Sequence, residues 1–356
     1  MPLYMDIHTV DSDDFSVEDV VKAHMQDLAI QERFGVTQIK YWVNVDAKTL
    51  FCLMEGPDKD ACNKVHKESH GNTACNIIEV SDDEFNLFLG QGKSVNDLAY
   101  TNSGEIDTGY RTILLLNYAD FTVKYINVYK EISNLVEQNN GTIVVQPDDE
   151  IMVSFVLASE AMLCAEAVVN LLKSVKNNLE FSISLVSGRP VDEHGKDLFE
   201  ETKKKTQDIC NLGFNKTIYL DYETKALAEK EKITSKVNIE DFKTIQKEDF
   251  SFLLQVSEEL KNNLINPEFK SDNLHELLGL SKSQTYRKIK SLTGLAPNQL
   301  IQEARLILSL KQIKKSGKTI SEIAYDSGFN SPTYFAKIFK KRFGSTPTDF
   351  SSISKN

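Results

Sequence analysis

Apolar positions in the first ninety residues switch between two periods. The segment 3–10 (LYMDIHTV) alternates as a strand. Residues 16–35 place Val17, Val20, Val21, Leu28 and Ile30 at helical spacing, and 38–57 read as a hairpin turning at Asp46–Lys48. A short helix over 58–71 and a last strand over 75–81 complete β-α-β-β-α-β. That order predicts a small ferredoxin-like α+β domain over residues 1–90. Residues 91–109 are polar with scattered glycines and are expected to be a linker. From Tyr110 the alternation resumes: a buried strand over 110–121, a helix over 122–141 and a hairpin through Pro147–Asp149. A helix over 159–175, a strand over 179–190, a helix over 197–213 and a closing strand over 216–221 follow. The pattern predicts a second α+β domain with an antiparallel sheet over residues 110–222. Residues 223–250 are charged and mostly helical in pattern, a solvated connector.

Residues 251–356 read as all-α, and the apolar stripes come in pairs. Leu274, Leu277 and Leu278 form a stripe that stops at Gly279. Ser281 with Gln284 makes a capping-box pattern, and Tyr286, Ile289 and Leu292 are expected inward, with Gly294 ending the helix. The layout returns after Thr319, which pairs with Glu322. Ile320, Ile323 and Ala324 form the stripe, Gly328 the turn, and Ser331 and Pro332 the next N-cap and first helical position. Phe335, Ile338 and Phe339 point inward and Gly344 ends the helix. Ser281 and Ser331, Ile289 and Phe339, Lys290 and Lys340, Gly294 and Gly344, and Pro297 and Pro347 share one offset of 50 residues, the mark of a duplicated unit. Each unit is a helix-turn-helix. Lys282, Ser283, Gln284, Arg287 and Lys288 lie on the outer side of the first second helix, and Thr333, Tyr334 and Lys337 on that of the other, with Lys340 and Lys341 suited to phosphates. Between the units, Pro297 to about Lys315 predicts one amphipathic helix roughly 25–28 Å long, the right scale to set two helices in successive major grooves about 34 Å apart.

Charge supports this division. The chain carries −11 overall, yet residues 251–356 hold 16 Lys and Arg against 9 Asp and Glu, a charge of +7, leaving −18 on the remainder. A basic end on an acidic body suits a module for double-stranded DNA joined to something else. No apolar run approaches the roughly 20 residues of a membrane span, and the N-terminus has no basic-apolar signal, so a cytoplasmic protein without membrane contact is expected. Five scattered cysteines without a CxxC pair give no disulfide framework.

The stretches LSKSQTYRKIKSLTGLAPNQLI and ISEIAYDSGFNSPTYFAKIFKKRFGSTP resemble the two signatures of the AraC/XylS family of transcription regulators, over about Phe252 to Phe350. The resemblance implies base readout by Ser283, Gln284 and Arg287 in the first unit and by Thr333 and Lys337 in the second. Arg287 suits guanine and Gln284 adenine. Lys288, Lys340 and Lys341 would contact phosphates, with Lys282, Ser331 and Tyr334 completing the DNA-facing set.

Four of the six histidines lie in the first domain. His66 and His70 are i,i+4 on one helix, His24 and Asp27 are i,i+3 on another, and Asp6 and His8 share a strand face. Imidazole with carboxylate suits Ni, Zn, Cu or Fe; the structural alternative is capping and surface pairing. The segments YMDIH, AHMQD, YW, FCLMEGP and VHKESHG resemble a small family of nickel-binding domains over about residues 1–90. Carried over residue by residue, that implies a metal site of Asp6, His8, His24, Asp27, His66 and His70, with nickel the first choice. Trp42 and Cys52 fall in matching stretches and are not assigned as ligands.

The middle segment resembles a class III nucleotide cyclase over about residues 110–222, with Gly141 to Asp149 as its strand-turn-strand. Such enzymes hold two metal ions on two aspartates. Here Asp149 stands at the second position and Asn117 at the first. Asp148 and Glu150 replace turn glycines, and Lys204 and Asp208 stand where an asparagine and an arginine belong. The resemblance therefore implies a dismantled, non-catalytic domain kept for dimerisation or ligand sensing. The expectation is a DNA-binding transcription regulator, responsive to a metal such as nickel and homodimeric through its N-terminal or middle domain. The alternatives are a nucleotide cyclase or other metal-dependent enzyme fused to a DNA reader, and a metal-buffering protein.

Overall fold

The computed structural model describes residues 1–121, 128–145, 150–174, 179–213, 216–231, 241–315 and 317–354. The hairpin turn expected at Pro147–Asp149, with Asp148 and Asp149, lies outside them.

The first domain runs β1 (Leu3–Thr9), α1 (Val17–Ile30), β2 (Thr37–Asn44), β3 (Thr49–Glu55), α2 (Lys59–His70) and β4 (Asn76–Val80). Its strands lie in the order β4-β1-β3-β2, with β1 antiparallel to both β3 and β4. Local chemistry sets the helix starts: the Ser16 hydroxyl accepts the Asp19 N–H at the head of α1, and Asp58 accepts the Ala61 N–H at the head of α2. Gly71, at φ +83, ends α2 in the left-handed region.

Three boundaries differ from the sequence reading. A further helix α3 (Asp82–Leu89) follows β4. Residues 91–109, expected as a linker, carry β5 (Lys93–Val95) and β6 (Leu98–Tyr100), which extend the first sheet to β4-β1-β3-β2-β6-β5. These strands are too short to show a period, and they are held by pairing of β6 parallel to β2 and by burial of Leu98 and Ala99. The connector 223–250 likewise carries α7 (Tyr222–Lys230) and β12 (Phe242–Ile245); Ala228 is buried in the second domain's core and β12 pairs with its sheet.

The second domain otherwise comprises β7 (Arg111–Asp120), α4 (Val128–Gln138), β8 (Thr142–Val145), β9 (Glu150–Phe155), α5 (Ala158–Ser174), β10 (Leu179–Gly188), α6 (Glu200–Cys210) and β11 (Ile218–Asp221). Its sheet order, β12-β11-β10-β7-β9-β8, repeats the fourth-first-third-second pattern in β10-β7-β9-β8. A Cβ on Gly141 would lie 2.6 Å from Phe155 Cε1, so only glycine lets the chain enter β8 there. One sheet face packs on α4, α5 and α7. The other faces the first domain: Leu3, Met5, Ile7, Trp42, Phe51 and Leu53 share a core with Ile113, Leu115, Met152, Leu198 and Phe199. This explains why β1 is buried over six consecutive residues rather than on alternate ones. At the junction Arg111, 1% exposed, forms a two-pronged pair with Asp107 (2.9 and 2.8 Å) and donates to the Phe88 carbonyl (2.9 Å).

The C-terminal domain is helical: α8 (Lys247–Asn263), α9 (Ser271–Leu277), α10 (Lys282–Thr293), α11 (Pro297–Lys315), α12 (Ile320–Asp326), α13 (Pro332–Phe343) and α14 (Pro347–Ile353). Both capping boxes form, Ser281 with Gln284 and Thr319 with Glu322. Gly294 and Gly344 end α10 and α13 at φ +77 and +75. The spacer α11 buries Leu300, Ile301, Leu306, Ile307, Leu310 and Ile313 against both pairs. The domain is docked on the second sheet. Ile209, Tyr219 and Ile245 join the first unit's core, and Phe121 stacks on Phe343 with ring centroids 4.8 Å apart. Among the described residues no helix is long and apolar enough to cross a membrane.

Candidate metal centre and nucleic-acid interface

Strand β1 holds Asp6 and His8 on the face away from the interdomain core, and α1 and α2 cover that face. Asp6 is fully buried. Its Oδ1 accepts the Cys52 N–H at 2.8 Å, and its Oδ2 lies 3.1 Å from His8 Nε2 and 2.9 Å from His66 Nε2. His66 Nδ1 lies 2.9 Å from Asp27 Oδ2, and His70 Nε2 lies 3.3 Å from Asp27 Oδ1, which also takes the Ser69 hydroxyl proton. The structure thus brings Asp6, His8 and His66 together with the Cys52 thiol, and Asp27, His66 and His70 together beside them. Within each group the donor atoms lie within 4.8 Å of one another.

His24 stands apart. Its Nε2 lies 3.0 Å from Asp97 Oδ2, a residue of the segment expected to be a linker, and among the described residues it joins neither donor group. Cys52, unassigned from the sequence, is inside the first group because β3 presents it on the same face as Asp6. Its partner lies 46 residues away across a β-pair, so local spacing carries no sign of it.

The electrostatics suit a cation. Burial raises the Asp6 carboxyl, but His8 and His66 hold it well below the usual carboxylate range. Asp27 is likewise raised by burial, and hydrogen bonds with His66 and His70 bring it well below that range. Burial pulls His66 down, yet Asp6 and Asp27 push it up to about 10. A proton on His66 therefore balances two buried carboxylates, the task a metal ion would take over while displacing that proton. His66 Nε2, though close to Asp6, is outside hydrogen-bonding geometry and is a buried nitrogen without a hydrogen-bond partner. An orphaned imidazole nitrogen beside a carboxylate, a second imidazole and a thiol fits a borderline transition metal of the nickel or zinc kind.

At the other end of the chain, α10 exposes Lys282, Ser283, Gln284 and Arg287, and α13 exposes Thr333, Tyr334, Lys337, Lys340 and Lys341. Ser331 is half-buried and caps α13 through the Tyr334 N–H. Gln284 Oε1 is taken by the Ser281 N–H and hydroxyl, which leaves its amide nitrogen for a base. Lys282 pairs with Asp272 at 2.9 Å.

Some expectations need correction. Lys288 is drawn onto α8, its ammonium 4.4 Å from the centre of the Phe252 ring and 3.6 Å from Asp249 Oδ1, because the helix turns it toward that neighbour rather than outward. Tyr286, expected inward, is 50% exposed, and Leu277 is 46% exposed. The buried row of α10 is Thr285, Ile289 and Leu292, one position away from Tyr286. Tyr286 lies beside Arg287 and Ser283 in a groove that also takes in Lys282 and Asn298, so its ring belongs to the exposed reading side.

In the second domain, two of the positions read as degenerate, Glu150 and Asp208, are engaged by the C-terminal domain. Asn117 donates to Asn211 at 3.1 Å. Lys311 of α11 reaches Glu150 at 2.7 Å and Asn211 at 3.1 Å. Asp208, 2% exposed, accepts the Ser257 hydroxyl at 3.2 Å and pairs with Lys261. Arg342 of α13 bridges Glu303 and Glu180. Lys204 is exposed.

Comparison with known proteins matches the two ends of the chain. Residues 274–352 match the family described as a helix-turn-helix domain, and residues 4–80 match the family described as nickel responsive protein SCO4226-like. Histidine kinase P4 of Formosa agariphila is 35% identical over 107 residues, 30% of this chain and 8% of that protein. The HTH-type transcriptional activator RhaS of Mannheimia succiniciproducens is 36% identical over 90 residues, 25% of this chain and 33% of that one. The chain thus spans a third or less of the length of these two curated relatives. The crystal structure of SCO4226 from Streptomyces coelicolor A3(2) is 31% identical over 22% of this chain and 94% of that one, with a TM-score of 0.21.

Proposed function

We propose that this chain, which carries an AraC-type helix-turn-helix domain at its C-terminal end and an SCO4226-like domain at its N-terminal end, is a sequence-specific DNA-binding regulator whose output responds to a transition metal, nickel first. The observation that carries the reading is the duplicated helix pair. α9–α10 and α12–α13 repeat at an offset of 50 residues and are joined by α11, about 28 Å long, and each presents an exposed second helix bearing Arg287 or Lys337. Arg287, Ser283, Gln284 and Tyr286 on α10, and Thr333, Tyr334 and Lys337 on α13, are the base-facing set. Lys340 and Lys341 hold phosphates.

Asp6, His8, Cys52, His66, Asp27 and His70 are the residues that would hold the metal, which supplies a fixed positive charge among buried carboxylates. A metal shifts the DNA-reading state only through unequal affinity for two conformations of the chain. β1 is suited to connect the two ends: Asp6 and His8 are on one face, and Met5 and Ile7 on the other pack against β7 and β9. Phe121, the residue that follows β7, lies inside the second reading unit, and β9 begins at Glu150 against Lys311.

The middle domain, read as a cyclase-like fold without catalysis, serves as the docking surface between sensor and reader. Asp208, where the resemblance expects an arginine, is held by Ser257 and Lys261 of the C-terminal domain.

Selection of bound sequences from a random duplex pool by the full chain, with and without Ni(II), tests the proposal. A defined two-part motif is expected, with affinity altered by nickel. No enrichment over random duplex would refute the regulator reading; enrichment indifferent to nickel would remove the metal from it.

A further inference from the structure

The donor groups form one wall of a cavity of ≈ 520 Å³. A water molecule's share of liquid volume is about 30 Å³, so an ion with its waters fills a small part of that space. Phe15, Val20, Tyr41 and Leu50 give the same cavity apolar and aromatic lining, among polar residues such as Asp11, Asp19 and Asn72. His24 completes it. This residue is 4% exposed, and its ring centroid lies 4.4 Å from that of Tyr41. Asp97 takes its Nε2 at 3.0 Å, while the Tyr41 N–H donates to the Asp97 carbonyl at 2.9 Å and fixes that partner in place. The other ring nitrogen, Nδ1, is buried and has no hydrogen-bond partner among the described residues. A buried polar atom left unpaired is costly unless a ligand pairs with it. Asp97 lies between β5 and β6, so the His24–Asp97 pair joins α1 to the strand extension of the first sheet.

We propose that the cavity takes a small organic co-ligand beside the metal. The co-ligand hydrogen-bonds with His24 Nδ1, lays its apolar part on Tyr41 and Phe15, and offers a nitrogen or oxygen electron pair to the ion. His24 is then a reader of that molecule and not a ligand of the ion. The inference rests on the N-terminal domain binding metal.

The test uses the full chain, its nickel affinity measured first without any additive. The nickel-loaded chain is then titrated with L-histidine and, separately, with imidazole. Ternary complexes are followed by native mass spectrometry and the nickel absorption bands by visible spectroscopy. The expected result is a ternary complex with one of the two probes and a shift of the bands. His24→Ala and Asp97→Ala should each weaken probe retention about tenfold while leaving nickel affinity within about twofold. Retention of neither probe overturns the co-ligand. A His24→Ala variant that loses nickel affinity itself makes His24 a metal ligand and overturns it too. Failure of the unmodified chain to bind nickel, visible before any probe is added, removes the metal reading and the co-ligand with it.

Discussion

The Lys311 ammonium lies 2.7 Å from Glu150 Oε1, which ties the helix between the two reading units to the start of β9 in the second sheet. Both side chains are partly exposed, so the pair is screened and its worth is modest. A double-mutant cycle with Lys311→Met and Glu150→Gln, read by urea denaturation, should give a coupling of about 0.5–1 kcal/mol. A coupling indistinguishable from zero would show that apolar contacts alone hold the spacer.

Binding to a selected DNA site should separate base readers from phosphate holders. Arg287→Ala is expected to cost about 1–3 kcal/mol and to broaden the preferred sequence, as Tyr286→Ala should to a smaller degree. Lys341→Ala should weaken all duplexes alike and lower the slope of log K against log salt by about 1. Equal behaviour of the variants in both assays would contradict the division of roles.

Burial pushes the Asp221 carboxyl up to about 6, against the Thr224 hydrogen bonds that pull it down. Because the folded value is above the unfolded one, its contribution to stability is complete below about pH 4 and is lost as pH rises through about 6. Asp221→Asn keeps an acceptor for the Thr224 N–H and removes the buried charge. The variant should gain about 1–3 kcal/mol relative to the unmodified chain between about pH 5 and pH 8. Denaturation curves at the two pH values check this; a constant difference would rule it out.

The Arg111–Asp107 pair is almost fully enclosed, so removing one partner strands a charge. Asp107→Ala should cost about 3–5 kcal/mol, and Arg111→Met combined with Asp107→Leu distinctly less. Equal losses for the single and double variants would mean that packing, not charge, dominates the junction.

Phe121 directly follows β7 but packs within the second reading unit, against Phe339, Phe343 and Phe350. Phe121→Ala should cost about 3–5 kcal/mol. Amide exchange should quicken in α13 and α14 and leave α9 and α10 as they were. Uniform quickening would argue that the two units are not held independently.

Features set by neighbours in sequence were legible without a structure. The capping boxes, the glycines closing α10 and α13, and the shared face of Asp6 and His8 each follow from residues two to four positions apart. Errors arose where a distant segment decides. Three-residue strands such as β6 have no period to read, so the partner of His24 was invisible, 73 residues away. Tyr286 is apolar enough for the core, yet it faces out because the row through Thr285, Ile289 and Leu292 is the one α10 turns inward. The double burial of β1 depends on a second sheet that no local pattern announces.

Because the first two sheets share one core, the molecule does not come apart where its sequence families do. A fragment starting near Tyr110 would carry Ile113, Leu115 and Met152 on an uncovered oily slab, and one stopping near Leu89 would strand Met5, Trp42 and Phe51 in the same way. A cut near Ile245 would in turn uncover Ile209, Tyr219 and Phe121, which the C-terminal domain covers, so expression trials cut at any of these boundaries should yield aggregates.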